Sequence, residues 1–306
     1  MKKLVTETAL RELRGLVEEG HMCVDEPMSK HTTFRIGGPA EVFMMPDRNE
    51  LEKVLAYCRE QQIPTTIVGN GSNLLVGDGG ISGVVVRIGR NMSAITVEGT
   101  TIEAEAGATL GQVYNAALKH ALTGLEFASG IPGSLGGGCL MNAGAYGGEL
   151  KDVLTEITVL SPNGEMRVLS PQEAELSYRH SRFQTSGEIV LAAKMELQPG
   201  DAEKIRETSN GYNQQRREKQ PLNFPSAGST FKRPEGNFAG KLIEDAGLRG
   251  YEVGGAMVSD KHCGFVVNKG DATAADVRQV MEDVQRIVKE KYDVTLQPEV
   301  RMLGDF

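Results

Sequence analysis

The chain has 306 residues, a formal net charge of −8 and 40% hydrophobic residues. This length suits one large domain or two to three small ones, and the hydrophobic content is sufficient for packed cores. The acidic balance argues against a general nucleic-acid binder, because such proteins depend on Lys and Arg contacts to phosphates.

The four cysteines are far apart in the sequence and include no CxxC pair. They are Cys23, Cys58, Cys139 and Cys263. This spacing argues against structural zinc and is typical of reduced thiols in a cytoplasmic protein. The first 20 residues contain several acidic side chains and do not resemble a signal peptide. No run approaches the roughly 18 apolar residues of a membrane span. We therefore expect a cytoplasmic chain without a membrane anchor.

Local patterns predict regular structure in the first 126 residues. The predicted elements are a helix over 51–62, strands over 63–68, 84–88 and 101–106, and a helix that begins after Thr109. Asp47 and Glu50 have the spacing of a capping box before the first helix, and Thr109 caps the second. Apolar residues recur on one face of each helix, as expected for elements that pack on a core.

The remaining chain changes its pattern twice. Residues 127–149 are rich in glycine and show neither a helical nor a strand period. Strands are predicted over 153–160, 166–169 and 188–197, and a helix–loop–helix pattern follows from 201. The last long helix, over 274–291, begins with Thr273 and Asp276 as its cap. We predict an α+β protein with boundaries near residues 88 and 200.

The first candidate site is the glycine loop VGNGSNLLVGD at 68–78, which follows a predicted strand. Gly69 and Gly71 allow backbone N–H groups to face an anion closely, as in a pyrophosphate cradle. A Rossmann fingerprint would need a third glycine at Leu74, and a P-loop would need Gly-Lys-Ser/Thr. The alternative is a tight turn between two strands.

Residues 127–149 form the second candidate site. A loop of more than about 12–15 residues inside a compact domain is usually functional or disordered. This one has few charges and several apolar residues, including Ile131 and Leu135, which argues against disorder. Its glycines would allow the backbone to lie against a flat cofactor. The alternative is a packed, glycine-rich connection.

A basic cluster at Arg216, Arg217 and Lys219, followed by Lys232 and Arg233, is the third candidate. Charges beside a Ser-Ala-Gly-Ser turn suit a diphosphate. A solvated helix face explains the same charges equally well.

These motifs occur in an order that resembles the UDP-N-acetylenolpyruvoylglucosamine reductase family. The segments that carry the resemblance are HTTFRIGG at 31–38, VGNGSNLLVGD at 68–78, GIPGSLGGGCLMNAGAYGGE at 130–149, YRHSRF at 178–183, SAGSTFKRP at 226–234 and LQPEVR at 296–301. The glycine loops recur in a wider group of FAD proteins similar to vanillyl-alcohol oxidase, whereas the last three segments are specific. The short chain resembles the second type of the family, which lacks the insertion with a substrate-capping tyrosine.

The resemblance implies an FAD-binding domain in two parts, 1–88 and 89–200, followed by a substrate-binding domain over 201–306. It also implies an activity: NADPH reduces non-covalently bound FAD, and UDP-N-acetylglucosamine enolpyruvate is then reduced in the same cleft to UDP-N-acetylmuramate for peptidoglycan. A hydride reaches the methylene carbon of the enol ether, and a proton reaches the neighbouring carbon. The intermediate between these events resembles a carboxylate enolate.

The resemblance also assigns residues. Ser229 matches the proton donor, Arg179 the residue that stabilises the developing oxyanion, and Glu299 the acidic partner of the site. Expected FAD contacts are Arg35, Gly69, Asn70, Gly71, Ser72, Asn73, Leu74, Gly130, Ile131, Pro132, Gly133, Ser134, Gly137, Asn142, Ala143, Gly144 and Tyr146. Arg216, Lys219 and Arg233 would hold the diphosphate or uridine of the substrate. Taken without the resemblance, the residues favour the structural interpretations: a turn cap for Ser229, and an ion pair for Arg179 with Glu299.

Two other functions remain open at this point. The first is an FAD oxidoreductase of the same fold that acts on a small alcohol or hydroxy acid and attaches its flavin through His or Cys. Cys139, within the second glycine loop, weakly favours it, whereas the absence of a histidine there argues against it. The second is a nucleotide-binding module without catalysis.

His180 is interpreted as structural, and the histidine spacing predicts no metal. No obligate protein partner is expected.

Overall fold

The computed structural model describes residues 2–306. Its helices are α1 (Glu7–Gly15), α2 (Arg48–Glu60), α3 (Leu110–Lys119), α4 (Leu135–Met141), α5 (Ala202–Lys219), α6 (Ala239–Asp245) and α7 (Ala274–Tyr292). Its strands are β1 (Met22–Pro27), β2 (Pro39–Met44), β3 (Thr65–Val68), β4 (Leu74–Val76), β5 (Ile81–Arg87), β6 (Ile95–Glu98), β7 (Thr101–Glu105), β8 (Leu122–Thr123), β9 (Gly144–Ala145), β10 (Gly148–Glu149), β11 (Leu154–Leu160), β12 (Met166–Leu169), β13 (Ile189–Glu196), β14 (Gln198–Pro199), β15 (Glu252–Val253), β16 (Ala256–Val258), β17 (Val266–Asn268) and β18 (Arg301–Leu303). Within residues 2–306, every helix is too short or too polar to cross a membrane.

The first sheet has the strand order β1-β2-β5-β3. Strand β5 pairs in parallel with both β2 and β3, whereas β1 pairs antiparallel with β2. The predicted helix over 51–62 is confirmed as α2, which starts slightly earlier, and Asp47 and Glu50 form the predicted capping box. Because β3 ends at Val68, the first glycine loop leaves the sheet at its carboxyl edge, where parallel sheets commonly bind ligands.

The second sheet is antiparallel, with the order β12-β11-β13-β7-β6. It confirms the strands predicted over 101–106, 153–160, 166–169 and 188–197. Thr109 caps helix α3, and its side chain forms a capping box with Gln112. Both sheets contribute to one core, in which Val84 of the first sheet and Ile102 of the second are fully buried.

The expectation that residues 127–149 lack regular structure is wrong, because they contain the helix α4 and the short paired strands β9 and β10. Ser134 caps α4, and Asn142 ends it with a left-handed backbone. Glycine disfavours helices, so no local signal reveals this one. Packing explains it instead. A Cβ on Gly136 would lie 2.9 Å from the Ala106 side chain, and one on Gly138 would lie 2.8 Å from Leu150. The helix therefore lies closer to the sheet than side chains would permit.

The C-terminal part combines α6 and α7 with a three-stranded sheet, β15-β16-β17. The predicted helix over 274–291 is confirmed as α7, with Thr273 and Asp276 as its capping box. The three strands escaped prediction because each has only two or three residues. A second core joins these elements and includes Phe34 and Leu75 from the first part of the chain.

Two long-range connections place the C-terminal part against the first glycine loop. Strand β18 pairs in parallel with β4, so that Arg301 lies opposite Leu74. The Asp78 carboxylate accepts hydrogen bonds from the first backbone N–H groups of α7. Helix α5 contributes Ile205 to the core of the two sheets rather than to the second core. The domain boundaries near residues 88 and 200 stay a prediction.

Candidate active site

A deep cleft of 1160 Å³ runs between the two glycine loops, the C-terminal end of α5 and the turn at 226–229. It brings together most of the residues that the sequence singled out. These are Gly69, Asn70, Gly71, Ser72, Asn73, Leu74, Gly130, Ile131, Pro132, Gly133, Ser134, Gly137, Ala143, Gly144, Tyr146, Arg179, Arg216, Lys219, Ser229 and Glu299. Segments from across the whole chain therefore meet in one cavity, which exceeds the usual 300–1,000 Å³ of ligand sites.

The two glycine loops approach each other directly. The Asn70 amide donates to the Pro132 carbonyl at 3.4 Å. A Cβ on Gly69 would come within 2.4 Å of the Ser134 hydroxyl, so a side chain here would displace that hydroxyl. Gly71 has a φ of +65°, and a Cβ there would collide with the His31 carbonyl. Position 71 therefore requires glycine, both for this close contact and for its backbone conformation.

The lining of the cleft fits a flavin dinucleotide. Exposed loop backbone and the hydroxyls of Ser72 and Ser134 provide donors suited to a pyrophosphate. Ile67, Leu110 and Phe127 provide apolar surface suited to flat rings. A few polar groups within a mostly apolar wall are typical of cofactor sites.

Arg179 and Glu299 form an ion pair at one end of the cleft. Nε of Arg179 donates to Oε1 of Glu299 at 2.6 Å, and Nη2 donates to the Gly144 carbonyl at 3.1 Å. Arg179 occupies a tight turn between Ser177 and His180, with a φ of +53°. Burial raises the pKa of Glu299, and the Arg179 charge only partly opposes this effect. The carboxyl group is therefore easier to protonate than an ordinary glutamate.

Ser229 is exposed at the same end of the cleft. It follows Gly228, whose φ is +77°, and precedes the buried Thr230. The Thr230 carbonyl accepts from the Glu299 backbone N–H at 2.8 Å. The backbone thus fixes Ser229 and Glu299 as neighbours, although they are far apart in sequence.

A second cavity of 390 Å³ opens beside this end of the cleft. The two cavities share Arg179, Ser229, His262 and Glu299. The second cavity is lined by a group of cations: Arg233, Lys241, Arg249 and Lys261. Apart from Arg233, the sequence analysis missed this group, because its members are spread along the chain without a recognisable spacing.

His262 was also missed as a site residue. Its Nδ1 accepts from the Gly264 backbone N–H at 3.0 Å. Burial lowers the pKa of His262, so the neutral form is favoured. The ring proton must then lie on Nε2, which makes His262 a hydrogen-bond donor where the cavities meet.

Three predicted site residues lie outside the lining of the main cleft. Arg35 is exposed and has a φ of +56°. Arg233 lies in the second cavity, with its guanidinium 4.0 Å from the Phe238 ring centre. Asn142 is fully buried; its amide donates to Glu149 and the Ser177 carbonyl. Protein groups thus satisfy this amide, which holds the end of α4.

Arg216 forms a hydrogen bond that holds the second glycine loop. Its guanidinium donates to the Gly130 carbonyl and to Gln220. Tyr146 stacks on Tyr212 of the same helix, with ring centres 4.3 Å apart. Helix α5 therefore supports the loop with two side chains, and Arg216 points into the main cleft rather than into the second cavity.

Comparisons with known proteins decide the family. A family model described as "FAD binding domain" matches residues 39–170, and one described as "UDP-N-acetylenolpyruvoylglucosamine reductase, C-terminal domain" matches 220–303. A UDP-N-acetylenolpyruvoylglucosamine reductase of Caldanaerobacter subterraneus subsp. tengcongensis is 52% identical over 98% of this chain and 100% of that protein. The protein of the same name from Agathobacter rectalis is 53% identical over 99% and 100%.

The chain belongs to the UDP-N-acetylenolpyruvoylglucosamine reductase family. The crystal structure of the family member from Thermus caldophilus has a TM-score of 0.79 and 33% identity, covering 92% of this chain and 98% of that one. A glucose dehydrogenase, Phl p 4.0202, shares only the fold, with a TM-score of 0.50 and 15% identity over 64% of this chain and 45% of that one. The predicted family, the α+β class and the FAD-binding domain are thereby confirmed.

Proposed function

We propose that the chain catalyses the NADPH-dependent reduction, through FAD, of UDP-N-acetylglucosamine enolpyruvate to UDP-N-acetylmuramate, a peptidoglycan precursor. Family membership supports the reaction. The observation that carries the site assignment is the meeting of Arg179, Ser229 and Glu299 where the two cavities join. One cavity suits the cofactor, and the other suits an anionic substrate.

In this proposal the two glycine loops hold the FAD. Backbone groups of Gly69–Leu74 and Gly130–Ser134 would face the pyrophosphate, while apolar residues of the cleft cover the rings. Bound FAD supplies the hydride chemistry that no amino-acid side chain can provide. The side chains around it bind the substrate, stabilise charge and deliver a proton.

Arg179 stabilises the negative charge that develops on the substrate carboxylate. It uses Nε and Nη2 for Glu299 and Gly144, which leaves Nη1 available to the substrate. The bonds also fix the guanidinium in one orientation before the reaction, which is how preorganised charge lowers a barrier. A guanidinium remains charged throughout the working pH range.

Ser229 donates the proton to the substrate carbon. A serine hydroxyl is a very weak acid, so it must be held against the carbon and assisted by nearby charge. The backbone contact between Thr230 and Glu299 supplies the positioning, and Arg179 supplies the charge. Glu299 orients Arg179 and, because its pKa is raised, can also hold a proton.

The UDP moiety is assigned to the second cavity. Arg233, Lys241, Arg249 and Lys261 concentrate positive charge in an acidic protein. Lys241 and Arg249 already pair with Asp245 and Glu244, so Arg233 and Lys261 are the better candidates for the diphosphate. His262 would donate from Nε2 to a polar group of the sugar. Lys219 lies in the main cleft and remains a candidate for the substrate or NADPH.

Family membership supports this reaction over an oxidase of small alcohols and over a module without catalysis. Cys139, which weakly favoured the oxidase, is fully buried, and burial raises its pKa to about 12. A buried neutral thiol is a poor attachment point for a flavin. The cytoplasmic location is part of the proposal, and the four free cysteines of the described chain favour it.

The decisive test follows NADPH oxidation with purified protein. We expect a yellow protein that oxidises NADPH when the enolpyruvyl UDP-sugar is added, with and without oxygen. The product should be two mass units heavier than the substrate, since the reaction adds a hydride and a proton. Turnover that requires oxygen and ignores the sugar would support the oxidase. A colourless protein without turnover would support the binding module.

A further inference from the structure

The segment at residues 31–34 connects the first glycine loop with the turn that carries Ser229. Thr33 of this segment lines the main cleft. Its backbone N–H donates to the Gly71 carbonyl at 3.2 Å, and its hydroxyl donates to the Ser226 carbonyl at 2.6 Å. One residue is therefore bonded both to the proposed cofactor loop and to the proposed proton-donor turn.

His31, two residues before Thr33, and Phe34, directly after it, are anchored in different parts of the protein. His31 stacks on Phe43 of the first sheet, with ring centres 4.0 Å apart. Phe34 is fully buried in the second core, and its carbonyl accepts from Asn268 at 3.1 Å. Because His31 and Phe34 are both fixed, the Thr33 hydroxyl holds the Ser226 carbonyl from a rigid point, as a supporting residue must.

The turn that Thr33 holds is short and has a glycine near its centre. Gly228, with a φ of +77°, lies between Ser226 and Ser229. Downstream of Ser229, the Thr230 hydroxyl accepts from the Val266 backbone N–H at 2.8 Å. A backbone bridge between Ser226 and Val267 also ties the turn to the C-terminal sheet. The Thr33 hydroxyl ties the start of the turn to the cofactor side, whereas the Asn73 amide reaches the end of the turn through Glu299 and Thr230.

We propose that Thr33 is a positioning residue that sets the distance between the first glycine loop and the Ser229 hydroxyl. The proposal rests on the role proposed above for Ser229. A misplacement of about 1 Å at a reacting group can cost about 100-fold in rate. Loss of the Thr33 hydroxyl should therefore slow protonation of the substrate without loosening the cofactor. The backbone bond from Thr33 to Gly71 remains in any variant except proline.

The test compares Thr33→Val, Thr33→Ser and Thr101→Val. Thr101 is a matched control, since its hydroxyl bonds to Glu196 on the second sheet, outside both cavities. In stopped-flow experiments, NADPH should bleach the flavin absorbance of Thr33→Val at the wild-type rate. The enolpyruvyl UDP-sugar should then restore this absorbance, which we call recolouring, about 10- to 100-fold more slowly than in the wild type. Thr33→Ser should restore most of the recolouring rate, and Thr101→Val should match the wild type.

Two further measurements separate positioning from general damage. Hydrogen exchange of the peptide that covers residues 226–231 should accelerate in Thr33→Val but not in Thr101→Val, and FAD affinity should stay unchanged. Weakened FAD binding or equally slowed half-reactions would overturn the proposal, as would a normal recolouring rate in Thr33→Val. A wild-type protein that bleaches but never recolours with this sugar would instead refute the proposed function, and the role of Thr33 with it.

Discussion

Nε of Arg179 lies 2.6 Å from Oε1 of Glu299, which joins a turn beside the second sheet to a segment 120 residues later. The pKa of Glu299 is nevertheless raised, because burial disfavours its charge more strongly than Arg179 favours it. Such a pair stabilises the fold little, since desolvation offsets the attraction. It provides the site with a fixed guanidinium and a carboxyl group that protonates more easily than usual.

The first prediction concerns pH and stability. The folded pKa of Glu299 lies above the ordinary value of a glutamate, so the folded state binds this proton more tightly than the unfolded state. The contribution of Glu299 to stability is thus complete below the unfolded pKa and is lost as pH rises through the folded pKa. In urea titrations, the wild type should lose stability relative to Glu299→Gln over this window.

Glu196 provides the control of opposite sign. Hydrogen bonds from Thr100 and Thr101 lower its pKa, so its contribution is present above the unfolded pKa and is lost as pH falls. Glu196→Gln should therefore differ from the wild type in the opposite direction. A stability difference between Glu299→Gln and the wild type that rises with pH in favour of the wild type would show that the pKa of Glu299 is lowered.

The second prediction distinguishes Arg216 from its neighbour. Arg216→Ala removes a charged hydrogen bond to the Gly130 carbonyl. Such bonds contribute about 1.5–3 kcal/mol, so FAD affinity should fall by about 10- to 100-fold. Arg217 is exposed and lies outside the lining of both cavities, which makes Arg217→Ala the control. Titration of apoprotein with FAD measures the effect. If Arg216→Ala instead left FAD affinity unchanged and raised the substrate KM, Arg216 would bind the substrate diphosphate, as expected from the sequence.

Some elements of the fold could be predicted from the sequence, and others could not. The N-terminal caps of α2, α3 and α7 are local signals, and they predicted these helices correctly. Helix α4 could not be predicted, because its glycines are selected by close packing on Ala106 and Leu150 rather than by helix propensity.

The candidate site likewise contains residues that sequence motifs indicate and residues that only the structure brings together. The glycine loops and the three proposed catalytic residues each lie in a compact motif, which is why the family resemblance could point to them. The cations of the second cavity come from separate elements and converge only in three dimensions. The direction of the Arg216 side chain was equally inaccessible, since it depends on the position of Gly130 across the cleft.

The third prediction tests the second cavity. Lys261 lines it, and its Nζ donates to the Arg217 carbonyl at 2.6 Å. Lys261→Met should raise the KM for the UDP-sugar by about tenfold, while kcat and the KM for NADPH change little, because uniform binding energy acts on KM. Lys269→Met is the control, since Lys269 pairs with Glu252 outside both cavities. A fall in kcat at constant KM would place Lys261 in the chemistry instead.

The fourth prediction is that the flavin is bound without a covalent bond. Among the residues that line the main cleft in the described chain, His262 is the one histidine, and there is no cysteine. The Nδ1 atom of His262 accepts a hydrogen bond from the Gly264 backbone N–H, and burial lowers the pKa of His262. Acid precipitation should release all flavin to the supernatant. Yellow colour that stays with the pellet would contradict this expectation.

The final prediction concerns Ser229. If it donates the proton, Ser229→Ala should leave bleaching by NADPH intact, because that half-reaction needs no such acid. Recolouring by the enolpyruvyl UDP-sugar should slow by about 10²–10⁴-fold, the usual contribution of a positioned general acid. Ser229→Cys should recover some activity, since a thiol can also release a proton. Ser93→Ala serves as the control, because this hydroxyl bonds to the Arg90 carbonyl outside the cleft.

The two half-reactions make the result decisive. If Ser229→Ala slowed bleaching and recolouring equally, the serine would be supporting structure or cofactor rather than the reacting carbon. If it recoloured at the wild-type rate, another group would be delivering the proton, and Glu299 would be the first candidate, because its raised pKa allows it to carry one. Glu299→Gln would then lose recolouring where Ser229→Ala does not. Only selective slowing in Ser229→Ala, with partial recovery in Ser229→Cys, assigns the proton to this hydroxyl.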